Sequence, residues 1–148
     1  PAAVERNYRR VRAEQESGIL PLLLDLTNPS PAQGWAGQER LSLAERGPAD
    51  VVLALALIHH LAIGQNLPLG KIAGYLKGLC RQLIIEFVPK SDSQVKRLLL
   101  SRPDIFPDYT KSGFEQAFAR SFAIKGSTRI EDSDRWLYHM SVSSASPE

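Results

Sequence analysis

A single cysteine, Cys80, excludes an internal disulfide and leaves a cysteine zinc site without partners. A reducing cytoplasm is the compartment this implies. No apolar run approaches the ~20 residues of a membrane helix, so no membrane is expected, and the amino-terminal residues lack the pattern of a signal peptide. Neither sign of charge dominates: 18 Lys and Arg stand against 16 Asp and Glu. The sequence pI near 8.9 is accompanied by no long basic block, and nucleic acid is not indicated. None of the ten glycines falls in a G-x-G-x-x-G, which removes the fingerprint of a dinucleotide-binding turn. What remains, 43% hydrophobic and 23% charged over 148 residues, is the composition of a soluble globular protein, long enough for one domain and too short for two.

The stretch around which the chain is organised runs Ala49-Asp50-Val51-Val52-Leu53-Ala54-Leu55-Ala56-Leu57-Ile58-His59-His60-Leu61. An apolar run of this kind, opened by an acid and closed by a polar pair, predicts a central strand buried on both faces and covered there by helices. Ligands of open α/β sheets lie beyond the carboxyl ends of the strands, so His59 and His60 stand at the mouth of a candidate site.

Before this strand, Val4, Tyr8 and Val11 recur at helical spacing over residues 2 to 16, with arginines around the other side that read as a solvated face. Proline suits the first turn of a helix, so Pro1 marks its start. A helix met in its first residue, with no initiator Met and no cap, predicts a fragment cut inside a domain. Ile19 to Asp25 reads as a short buried strand, at an edge or paired only beyond Pro21. Residues 27 to 35 form a loop by turn chemistry, in which Trp35 either packs the loop down or walls a ligand ring. Ser42 to Arg46 reads as a short helix.

After the histidines, Leu69, Ile72, Ala73, Leu76 and Leu79 predict a helix over 68–80. Gly70, Gly74 and Gly78 recur along it every fourth residue, which suggests close approach to the sheet. Residues 82 to 88 read as a second buried strand stopped by Pro89. A helix with Val95, Leu98 and Leu99 inward follows, and Phe114 and Phe118 lie four apart on the next. Phe122 to Ile130 and Arg135 to Met140 predict an antiparallel pair joined by Glu131-Asp132-Ser133-Asp134, with 141–148 as a tail. Strand and helix alternate, and a hairpin ends the series: a doubly wound α/β pattern that begins late.

Three roles are open to the histidine pair: a structural hydrogen bond, catalysis or substrate contact, and metal binding. Adjacent residues opening a helix point in different directions, which disfavours the last. Glu86 either lines the site or caps a neighbouring helix.

The order of helix, strand ending in Asp25, strand from Asp50 to His60, strand ending near Glu86 and terminal hairpin resembles the latter two-thirds of a class I S-adenosylmethionine-dependent methyltransferase. The bacterial members related to nodulation proteins are the nearest likeness. Asp-Val-Val-Leu-Ala-Leu-Ala-Leu-Ile-His-His-Leu is similar to that family's fourth strand, and Pro1-Ala2-Ala3-Val4 to the start of the helix after its second. The resemblance covers residues 1 to 140. It implies a Rossmann-like doubly wound sheet, truncated at the amino end, in a single partial domain spanning 1–148.

It also implies S-adenosylmethionine as cofactor. Asp25 would accept the adenine amino group, with Leu26 and Thr27 beside the ring. Leu55 and Ala56 would pass their backbone close to the methionine portion, and His59, His60 and Glu86 would face an unidentified methyl acceptor. The family's glycine-rich loop, and the acid that holds the ribose, have no match here. The expected piece is therefore inactive alone, binds cofactor weakly at best, and self-associates through an apolar strand edge. Two other classes compete: a non-catalytic interaction module keeping the same sheet, and a nucleotide-cofactor oxidoreductase. The antiparallel ending argues against the oxidoreductase.

Overall fold

The structure, a computed structural model, describes residues 2–143. Pro1 and the last five positions of the expected tail lie outside the described residues. The protein is α/β, with a mixed, open sheet of four strands in the order β1-β2-β4-β3. These are β1 (Ala49–Ala54), β2 (Cys80–Phe87), β3 (Phe122–Arg129) and β4 (Trp136–Val142). The parallel pair β1 and β2 sets Val52 beside Leu83 and Ala54 beside Ile85. The terminal hairpin then adds β4 antiparallel to both β2 and β3. Ser141 and Val142, expected in the tail, pair within it.

The helices are α1 (Ala2–Ala13), α2 (Leu43–Arg46), α3 (Leu69–Leu79), α4 (Ser93–Leu99) and α5 (Lys111–Ala119). Their starts follow from side-chain chemistry. Ser42 and Glu45 form a reciprocal capping box at α2, Asp92 accepts from the Gln94 amide at α4, and Thr110 accepts from Gly113 at α5. The apolar stripe Leu69, Ile72, Ala73, Leu76 and Leu79 turns α3 inward, where it packs on α5 and β2. Leu83, Ile85 and Phe87 of β2, and Tyr138 and Met140 of β4, face these helices and are buried. Phe114 joins the layers, with its ring centroid 5.1 Å from both Phe87 and Tyr138 and 4.3 Å from Phe118.

Several expectations are corrected. The run at 49–61 is not a central strand: β1 pairs with β2 alone among the described residues and lies at the sheet's rim. Only one face of it is covered, because Val51 and Leu53 alternate to the side opposite α3 and stay 46% and 64% exposed. Ile19 to Asp25 forms no strand, and Leu20 and Leu23 are exposed; no described neighbour offers it a ladder, and an extended backbone without one gains nothing from pairing. Gly70, Gly74 and Gly78 lie on the outer side of α3, where a Cβ would meet nothing within 4 Å, so they serve no close approach to the sheet. Trp35, 86% exposed, does not pack its loop down. A bridge between Gln33 and Arg40 closes that loop instead, and Gly34, at φ 86°, turns in a conformation that only glycine adopts freely.

Candidate functional site

The strand β1 ends at Ala54 because the next residues leave the ladder, and Ala56 takes a left-handed conformation with φ of 49°. An alanine there is strained, so something must hold it. Glu86, near the end of the adjacent strand, does so: its Oε2 accepts the Ala56 amide at 2.7 Å. Its Oε1 accepts from Nη1 of Arg135 at 3.0 Å. Arg135 in turn donates Nε to Oδ2 of Asp92 at 2.7 Å, while Asp92 Oδ1 caps α4. Glu86 is 6% exposed, so this is a mostly desolvated, fully paired cluster at the carboxyl ends of the two parallel strands. The guanidinium beside Asp92 holds that carboxyl below its ordinary range.

The histidines follow directly. Ile58 and His59 turn into a helical segment that closes with wide π-type hydrogen bonding over His60–Gly64, a geometry frequent at functional sites. His59 is 1% exposed, and neither ring nitrogen has a hydrogen-bond partner among the described residues. Burial, then the neighbouring His60 and Arg135, push it down from 6.5 to about 4, against the smaller opposing pull of Asp92 and Glu86. It is a neutral imidazole at pH 7. His60 is exposed, its ring centroid 4.2 Å from that of His59. Leu55 and Ala56 are also exposed at the strand end.

The structure therefore brings together five of the expected site residues: Leu55, Ala56, His59, His60 and Glu86. Asp25, Leu26 and Thr27 form a second group. Asp25 Oδ1 accepts from both the amide and the hydroxyl of Thr27, at 2.8 and 2.6 Å, which lowers the carboxyl's pKa. Asp25 and Leu26 line a hollow of about 150 Å³ with Leu22, Leu24 and Tyr75. Leu26, Pro29 and Tyr75 also line a second hollow, which reaches Leu61, two residues past His59. The Tyr75 hydroxyl is buried there without a partner among the described residues.

Two residues escaped sequence reasoning. Arg135 lies 49 positions from Glu86, and a guanidinium at a hairpin turn carries no local sign of that pairing. Tyr75 sits on α3 between stripe positions, and its place over the Asp25 loop depends on how that loop folds back.

The fold and this cluster define an α/β protein with a mixed sheet and a built polar site at the ends of its parallel strands. Nodulation protein NoeA of Rhizobium meliloti (strain 1021) is 41% identical to the chain over 138 residues, which is 93% of the chain and 29% of that protein. The chain thus spans under a third of the relative's length. No family model and no solved structure matches.

Proposed function

We propose that the chain is the carboxyl-terminal part of an S-adenosylmethionine-dependent methyltransferase domain, with its cofactor laid across the carboxyl end of β1. The observation that carries this reading is the exposed Leu55–Ala56 turn, held left-handed at Ala56 by buried Glu86, with the histidine pair on the following turn. The carboxyl ends of the strands are where open α/β sheets bind ligands. The hollow beside Asp25 suits a flat heterocycle: Leu22, Leu24, Leu26 and Tyr75 offer apolar walls to the ring, and the Asp25 carboxylate stands beside it as an acceptor for an exocyclic amine. Apolar side chains left bare on β1 (Val51, Leu53) and over Ile19 to Leu24 suit a sheet that continues past β1. The oxidoreductase alternative needs another βαβ unit where the antiparallel hairpin stands.

In this reading Asp25, Leu26 and Thr27 hold the adenine side, and the Leu55 and Ala56 backbone holds the methionine side. When bound, the cofactor supplies the methyl group and the sulfide leaving group. The chain's residues align donor and acceptor and exclude water. Glu86 has both oxygens engaged and acts as a clamp, not as a proton acceptor. His60, exposed at the mouth, takes the acceptor's proton where one must be lost, and neutral His59 backs it with a low-dielectric wall. A reducing cytoplasm suits buried, free Cys80.

The test is a ¹H–¹⁵N titration of the 148-residue chain with millimolar S-adenosylhomocysteine. Weak binding that shifts the amides of both Thr27 and Ala56 is the expected result, with NADH leaving them unmoved. Micromolar binding by this chain alone, or saturated binding that leaves both amides unmoved, overturns the reading.

A further inference from the structure

We propose that Arg135 is a positioning residue for the turn at Ala56, acting through Glu86, so that the terminal hairpin sets the geometry of the strand-end site. The residues form one continuous line. The Ala56 amide donates to Glu86, Glu86 accepts from Arg135, and Arg135 donates to Asp92, at 2.7, 3.0 and 2.7 Å. Each link leaves its carboxylate with a second engagement, since Asp92 also receives the Gln94 amide. A carboxylate with one oxygen on a strained amide and the other on a guanidinium has its orientation set from both sides.

What places Arg135 is the turn before it. Asp134 accepts from Arg129 Nη2 at 2.6 Å and from the Ser91 hydroxyl at 3.0 Å, and the Arg135 amide donates to the Ser133 hydroxyl at 3.0 Å. The tip of the β3–β4 hairpin is thereby tied both to itself and to the loop after β2. Movement of that tip moves the guanidinium, and through Glu86 it releases a turn that alanine does not hold unaided. Nothing in β1 itself supplies a substitute, because no other hydrogen bond reaches the Ala56 amide among the described residues.

The coupling stands on these contacts alone; only its consequence for a cofactor rests on the methyltransferase reading. It is tested by amide hydrogen exchange, read by NMR on the 148-residue chain, comparing Ala56 with Ile85 in the middle of β2. Arg135→Gln is expected to speed exchange at Ala56 roughly tenfold while Ile85 is little changed, as local opening predicts. Arg135→Lys, which keeps the charge and loses the fork, is expected to fall between the two and serves if the Gln variant does not fold. Adding Ala56→Gly, which removes the steric cost of the left-handed turn, should slow exchange at position 56 again. Unchanged exchange at Ala56, an equal rise at Ile85, or no effect of the glycine overturns the proposal. Exchange that follows the expected pattern in a chain that binds S-adenosylhomocysteine without shifting Thr27 and Ala56 leaves the coupling standing and removes the methyltransferase reading.

Discussion

His59 spends its burial without a hydrogen bond, and that has a consequence with a definite sign. Its pKa is about 4 in the folded chain against 6.5 as the ordinary value, so between these the unfolded state binds the extra proton. Stability is therefore complete above pH 6.5 and falls as the pH drops toward 4. Each pH unit between the two values is about 1.4 kcal/mol, so the loss is on the order of 3 to 4 kcal/mol once the pH is below both. Asp92, held below its ordinary value mainly by Arg135, adds its own loss only at lower pH. Urea midpoints at pH 7.5 and 5 should differ measurably in the native chain and less in His59→Phe. An equal acid loss in both would place the titrating group elsewhere. The histidines and Glu86 were legible in the sequence because each follows an apolar strand run. Their states were not: His59 and His60 are adjacent in the chain, yet one is sealed in the core and the other faces solvent.

At the level of elements, the hydrophobic pattern was a good guide where one face meets the core. The stripe of α3 and the pair Phe114 and Phe118 on α5 both turned inward as their spacing requires. Phe114 is wholly buried between α5 and the sheet, and Phe114→Ala is expected to cost about 3 to 5 kcal/mol, seen as a lower urea midpoint. The hairpin was equally plain, since alternating β-formers flank the polar turn at 131–134. The pattern failed for β1 and for Ile19 to Asp25. A continuous apolar run says that burial would be favourable; it does not say that neighbours exist to provide it. The glycines of α3 misled for a related reason, because small residues mark a close approach only where something approaches.

Across the whole molecule, the sheet is helix-covered on one side and bare on the other, and β1 offers an unpaired edge. Exposed edges of this kind recruit other strands. The chain is expected to self-associate at micromolar concentration, and Leu53→Lys, at a position 64% exposed, should shift it toward monomer with a stability change within about 0.5 kcal/mol. Sedimentation velocity decides this: a native chain that stays monomeric across the concentration range refutes it.

The inward stripes of α3 and α5, the terminal hairpin, the helix caps and the polar residues that follow the two parallel strands were determined by the sequence itself, because each is a short-range matter of periodicity, backbone preference or local hydrogen bonding. The rim position of β1, the burial of one histidine and not the other, and the line from Ala56 to Arg135 were decided by tertiary structure. Strand order and desolvation depend on which distant segments meet, and no local pattern carries the free energy of a contact made 49 residues away.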